Sequence, residues 1–332
     1  MNRFENMRTM KHIIRSHLYL TLMGLGLALA ACAGGPPAPA PEFATPLSNQ
    51  VEAHADETGD DHGHLEASQL TGELQVVVVP TELVVGPERF AVGLFDAEGN
   101  MIHDASVHFH YYDLSDPQQA VLESEADAYR LQEPEGPTTI YAHQRSFERA
   151  GDWGVEVEVR RPDGDAAHSR IGFRVAADSD SYTPGERAPA LRTPTLADVN
   201  QDWTRITSAA EPNLAFYELS LHQALSNGKP TLLLFATPAF CQTRFCGPAY
   251  ETANSLYQKY GERMNFIHVE VFGGLPDPAA NGFKLAATVE AFGLQSDPWA
   301  YLIDAEGTVV YRVEGLFGAE ELERQAQARL GL

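Results

Sequence analysis

The hydrophobic pattern changes character several times along the chain. From Leu18 to Ala31 it is continuously apolar, LYLTLMGLGLALAA. Residues 33–50, AGGPPAPAPEFATPLSNQ, then break every period with Pro, Ala and Gly and predict a semi-extended tether. VEAHADETGDDHGHLEA follows, too polar to fold alone. Over 71–178 the pattern becomes short β-type runs: LQVVVVP, FAVGLFD, SVHFHYYD, TTIYAHQ, WGVEVEV and IGFRVA. AEGN at 97–100 and PDGD at 162–165 supply turn chemistry between them. About seven such strands in roughly a hundred residues predict an all-β sandwich, with Trp153 as a core anchor. Residues 179–212 carry several prolines and little period, and read as a linker. A helix is expected around 219–226, placing His222 on the surface, before the apolar run TLLLF begins a strand at 231–236. Pro248 suits the first turn of a helix, Ala249, Ala253, Leu256, Tyr257 and Tyr260 follow at helical spacing, and Gly261 can stop it. The helix is therefore expected over 248–260.

The chain has 332 residues, enough for two ordinary domains. Its formal charge is −23, from 46 acidic and 23 basic residues. Arg3, Arg8, Lys11 and Arg15 against Glu5 give the first 31 residues +3, so the remainder carries −26. Such a surface argues against nucleic acid and anionic lipid as electrostatic partners. Basic residues ahead of a short apolar run form an export address; the run is too short to span a bilayer, which takes about 20 residues. Leu29-Ala30-Ala31-Cys32 resembles a bacterial lipobox, which implies cleavage over residues 1–31 and lipidation of Cys32. Ala33 after that cysteine implies the outer membrane, facing the periplasm. His54, His62 and His64 among acidic residues of the 32–70 linker read either as a solvated tether or as weak metal capture.

With Cys32 lipidated, Cys241 and Cys246 remain. Both sit where a strand hands over to a helix N-terminus, where backbone N–H groups and the helix dipole favour a thiolate. On one continuous helix, five steps of about 1.5 Å would separate the Cα atoms by about 7.5 Å, beyond ordinary disulfide reach. A disulfide here therefore needs a loop, an irregular segment or helix unwinding on oxidation; with Pro248 as the first helical residue, Cys246 lies just outside the helix and Cys241 in the preceding loop. A bridge between them closes a short loop that gains little entropic stabilisation. That favours exchange chemistry over a structural bridge, with metal binding a third alternative. Arg244 between the two is either a thiolate-stabilising cation or a solvated side chain. No phosphate loop, dinucleotide fingerprint or HExxH motif occurs.

The segment 213–332 resembles a thioredoxin-fold domain. The resemblance rests on the strand-dithiol-helix order and on DPWAYLIDAEGTVVYRVEG, which is similar to that superfamily's proline-strand-turn-strand hairpin. It implies strands at Asn265–Phe272, 299–303 and 308–314, helices at 283–293 and 319–330, and Pro298 as the cis-proline facing the dithiol. Asp297 would adjoin the substrate. Four residues separate the cysteines rather than two, Ala249 stands where the second thioredoxin cysteine would follow Cys246-Gly247-Pro248, and Leu234 stands near the family's buried carboxylate. Thr237-Pro238 also resembles the Q-type peroxiredoxins, with one residue too many before Cys241. Sco-type copper chaperones pair two cysteines with a histidine before the hairpin, and none lies beyond Gly273.

FDAEGNMIHDASVHFHYYD with GDWGVEVEV resembles the YtkA/FixH-like exported β-sandwich domains. The fold class expected is thus an N-terminal immunoglobulin-like sandwich followed by an α/β thioredoxin-like domain. His108 and His110, two apart, share one strand face, and Met101 would add a soft ligand; the alternative is a solvent-facing polar face. The function expected is an anchored exported thiol–disulfide oxidoreductase acting on exported protein disulfides or thiols. Cys241 attacks, Cys246 resolves and Pro298 shapes the groove. No cofactor is required, with copper the one metal considered. A copper-handling or oxidase-assembly chaperone and a peroxidase are the rival readings.

Overall fold

The computed structural model describes residues 42–43 and 74–332, apart from 117, 134, 135 and 242. Cys32, the expected signal segment and the His54, His62 and His64 stretch lie outside the described residues. Among the described residues no helix is long and apolar enough to cross a membrane.

Eight strands fill Leu74–Val175: β1 (Leu74–Val78), β2 (Gly86–Asp96), β3 (Ser106–Asp116), β4 (Gln119–Asp127), β5 (Tyr129–Gln132), β6 (Thr139–Phe147), β7 (Gly151–Arg160) and β8 (Ala166–Val175). They form two four-stranded sheets in the orders β1-β2-β6-β5 and β4-β3-β7-β8. Every strand pairing within them is antiparallel. Inward residues of both sheets share one core, including Phe90, Tyr141, Phe109, Tyr111 and Val155. Trp153 is fully buried there, and its indole N–H donates to the Arg149 carbonyl at 3.2 Å. PDGD closes the β7–β8 hairpin as its turn chemistry predicts, with Arg161 N–H donating to Asp165 O at 2.8 Å. The AEGN turn folds Met101 back against Phe95 before the chain crosses to the other sheet. β4 and β5 are not predicted by the apolar pattern; β4 exposes most of QAVLESEAD and pairs with β3 along its edge.

The C-terminal part is an α/β layer structure. Its elements are α1 (Leu221–Ala224), β9 (Thr231–Phe235), α2 (Cys246–Tyr260), β10 (Asn265–Val269), α3 (Ala287–Phe292), β11 (Trp299–Ile303), β12 (Val309–Glu314) and α4 (Ala319–Leu330). The sheet order is β10-β9-β11-β12. β9 and β10 run parallel, whereas β11 is antiparallel to β9 and β12. Strand alternation sorts the central strand between two cores. Leu232 and Leu234 meet α2 and α4, while Leu233 and Phe235 meet α1 and α3. These directions, with helices on both faces, form a thioredoxin-like arrangement. The third helix is shorter than the expected 283–293, because a 3₁₀ turn at Pro278–Asn281 and extended residues before Ala287 occupy the preceding stretch.

The stretch predicted as a linker, 179–212, is packed. Leu196, Val199, Ile206 and Ala209 are buried in the α2–α4 side of the core. The Asp198 carboxylate accepts from the Thr195 N–H at 3.0 Å and its hydroxyl at 2.8 Å, fixing a turn whose apolar residues show no regular period. The β1-β2-β6-β5 sheet also meets the C-terminal part through buried ion pairs. Arg89 donates to Glu321 at 3.1 Å and to Leu316 O at 2.8 Å. Arg312 donates to Glu88 at 2.6 Å and to Glu82 at 2.8 Å. Burial pushes Glu88 up to about 7 against the pull of Arg312. Leu316 packs with Ala91, Ile140 and Ala142, and Phe245, the residue before Cys246, lies against the same cluster.

A candidate dithiol site

The loop after β9 brings Cys241 to the first turn of α2. The helix begins at Cys246, two residues before its expected start, because Phe245 O accepts from the Ala249 N–H at 2.9 Å. Pro248 falls at the third helical position, where a missing N–H leaves no intrahelical bond unmade. Arg244 holds φ at 68° and turns the intervening loop back on itself. Both cysteines are free thiols, Cys246 fully buried and Cys241 half-buried. The Cys246 backbone N–H donates to Cys241 Sγ at 3.3 Å, and the Thr243 hydroxyl lies at 3.3 Å from the same sulfur.

These contacts split the pair. Cys241 is pushed down to about 6, first by the Cys246 thiol as hydrogen-bond donor, against burial, with help from Thr243 and the Cys246 N–H. Cys246 is pushed up, first because its proton serves Cys241, then by burial and the charge of Asp297. Arg244 is exposed and is not among the groups that lower Cys241.

The Asp297–Pro298 peptide is cis, and Thr243 donates to the Asp297 carbonyl at 3.1 Å. The Asp297 side chain turns inward. Its Oδ2 lies 3.3 Å from Cys246 Sγ, and burial raises its pKa. The single Cys246 proton can therefore serve Cys241 or Asp297. A second carboxylate, Glu270, is buried just after β10 and accepts from the Ser208 N–H at 2.6 Å; burial raises it too. Leu234 is apolar as expected, but the chain supplies carboxylates from other elements. Glu270 is a lone acid ending an apolar strand, and only that oddity marks it in sequence. Cys241, Cys246 and Asp297 each place a donor atom within 4.8 Å of the others, a set that fits a soft metal through its two sulfurs.

Next to Cys241 lies an aromatic row that sequence reasoning missed. Phe240 and Phe283 have centroids 6.2 Å apart, and Phe283 and Phe272 are 5.3 Å apart. Phe283 is 45% exposed. Its position some forty residues after the dithiol gives no local signal.

The histidine candidates fall on the β4-β3-β7-β8 sheet. His108 and His110 share its outer face, with centroids 4.8 Å apart. Met101 does not join them: its sulfur accepts from the Thr139 N–H at 3.0 Å, on β6 of the other sheet. Glu125 of β4 is the third donor beside the imidazoles. His222 is exposed, as expected. His268 is buried and held near pKa 4 by burial, with Nε2 at 3.0 Å from Ala236 O and Nδ1 at 2.7 Å from the Tyr217 hydroxyl.

No protein-family model matches the chain, and no curated protein matches it. Among solved structures it is similar to one assigned as a thiol:disulfide interchange protein DsbE from Chlorobium tepidum. The identity is 21%, over 46% of this chain and 100% of that one, with a TM-score of 0.32. It is similar to a thioredoxin-like protein in the oxidised form at 21% identity, covering 39% and 97%, with a TM-score of 0.28. A thioredoxin-family thiol:disulfide interchange protein from Chlorobium tepidum TLS matches at 19%, covering 43% and 100%, with a TM-score of 0.27. These scores are low, and the reading of the fold rests on the strand order and directions above.

Proposed function

We propose that the chain is a thiol–disulfide oxidoreductase of the cell envelope, tethered through a lipidated Cys32, with an immunoglobulin-like sandwich ahead of its thioredoxin-like domain. One observation carries the chemistry: a half-buried, low-pKa Cys241 accepts a hydrogen bond from the helix-terminal N–H of a fully buried Cys246. The Cys241 thiolate attacks one sulfur of a partner disulfide. The partner S–S bond breaks, and its other sulfur leaves as thiolate. Cys246 passes its proton to Asp297 and attacks Cys241 Sγ. The mixed disulfide breaks, the second partner sulfur departs as thiolate and takes up the proton held by Asp297 or one from water, and two electrons have moved from the dithiol to the partner. Run backwards, the same steps oxidise a partner dithiol. Pro298 and the Phe240–Phe283 row form the partner-facing border of the pair.

The test is trapping with an exported protein disulfide. Cys246→Ala accumulates a mixed disulfide through Cys241, Cys241→Ala accumulates none, and Asp297→Asn slows resolution while leaving first attack nearly unchanged. Equal trapping by both cysteine variants overturns the assignment. A second reading, Cu(I) transfer, draws on the Cys241–Cys246–Asp297 donor set. It requires stoichiometric Cu(I) binding that vanishes in Cys241→Ser/Cys246→Ser.

A further inference from the structure

Antiparallel pairing brings five ionisable side chains together on the outer face of β3, away from the dithiol. His110 lies opposite Glu125 of β4, and His108 lies opposite Asp127 of β4 and Glu158 of β7. The contacts follow this register. Asp127 Oδ1 is 2.7 Å from His108 Nδ1, which fixes the proton there and leaves Nε2 with its lone pair. That Nε2 is 3.9 Å from one Glu125 oxygen, and His110 Nδ1 is 3.2 Å from the other. Glu158 Oε2 steadies the far nitrogen of His110 at 3.6 Å. Bonds of about 2.0 Å in a tetrahedral site put neighbouring ligand atoms about 3.3 Å apart. One donor atom each from His108, His110 and Glu125 lies within 4.8 Å of the others, so a modest adjustment of the side chains brings the three to that spacing.

The charges point the same way. Glu156 is paired with Arg170, and Glu158 with Arg160. Among the described residues, Glu125 and Asp127 have no Arg or Lys within ion-pair distance; their partners are the two histidines. An open concavity of about 340 Å³ lies over the cluster, so water can complete the coordination.

We propose that His108 Nε2, His110 Nδ1 and the Glu125 carboxylate bind a divalent transition-metal ion, with Asp127 orienting His108. The donors are nitrogen and oxygen, so the site takes Zn²⁺ or, more tightly, Cu²⁺, and not the Cu(I) that a thiol pair selects. The site is independent of the dithiol.

The test removes the other donor sets first. A full chain carrying Cys241→Ser/Cys246→Ser and His54→Gln/His62→Gln/His64→Gln is titrated with Zn²⁺ by calorimetry. One ion per chain is expected. His108→Gln/His110→Gln and Glu125→Gln each weaken binding more than tenfold. Asp127→Asn weakens it by about 10- to 100-fold, as removal of an orienting carboxylate does. The Cu²⁺-loaded parent shows two-nitrogen coupling in its electron paramagnetic resonance spectrum. Far-ultraviolet circular dichroism verifies that each variant keeps its sheet. Zn²⁺ affinity unchanged by the double histidine substitution, or no Zn²⁺ bound by the parent, overturns the proposal.

Discussion

Cys241 should react with disulfides at acidic pH, and the size of the effect follows from two opposing consequences of its pKa. The shift from 9.0 to about 6 raises the thiolate fraction at pH 7 from about 0.01 to about 0.9, roughly 90-fold. The same shift makes the thiolate a weaker nucleophile. A Brønsted slope of about 0.4–0.5 over three units costs about 16- to 32-fold, so the net gain at pH 7 is only about 3- to 6-fold. At pH 5 the thiolate advantage grows to about 900-fold against the same nucleophilic loss, and the net gain becomes about 30- to 60-fold. The assay is therefore the first-order release of aryl thiol from 4,4′-dithiodipyridine in excess over protein, followed from pH 4 to 10. The profile should rise through a midpoint near 6. Cys246→Ala removes the largest cause of the shift while keeping the Cys246 backbone N–H, so its midpoint moves upward and its rate at pH 5 falls. A wild-type midpoint at or above 8, or a midpoint indifferent to Cys246→Ala, would refute the hydrogen-bonding account.

Two further outcomes follow from the surfaces around the pair. Phe283→Ala removes a ring that exposes nearly half its surface against Phe240, worth about 1–2 kcal/mol if a polypeptide covers it, or about 5- to 30-fold in KM. A small-molecule disulfide should show no change; an equal effect on both substrates would remove the row from partner binding. Arg312→Ala strands Glu88 and Glu82 and should cost about 3–5 kcal/mol in urea unfolding at pH 8. Because Glu88 has a folded pKa raised above its unfolded value, stability is lost as pH rises through about 7, so the penalty shrinks at pH 5. A loss below about 1 kcal/mol at pH 8 would show that water or another cation reaches the seam.

What the sequence made legible was local. TLLLF followed by two cysteines and Gly247-Pro248 contains its own strand, loop and helix start, and the structure differs there only in starting α2 at Cys246. The alternation Val107, Phe109, Tyr111 against His108 and His110 sorted one face from the other without a partner strand in view. Partners set by register were not legible. β4 has too little apolar content to show as a strand in the pattern, yet it supplies Glu125 and Asp127 to the histidines. Met101 lies near them in sequence but turns back onto β2 and gives its sulfur to Thr139. Residues 179–212 hide their buried Leu196 and Val199 among prolines, since a chain wrapping a finished core needs no period.

The same distinction explains how the site is tuned. In the thioredoxin-like reading the buried carboxylate belongs on the strand before the cysteines, and here Leu234 makes that strand apolar. Asp297, from the turn before β11, reaches Cys246 directly instead. Asp297 sits 3.3 Å from the buried sulfur and burial raises its pKa, so it is placed to accept the Cys246 proton. In the proposed reaction that transfer follows once Cys241 is tied up in a mixed disulfide and no longer bears the charge that opposes a second thiolate beside it. The proposed reaction therefore orders the two thiols in time: Cys241 attacks while Cys246 keeps its proton, and that proton then has the Asp297 carboxylate, 3.3 Å away, to go to.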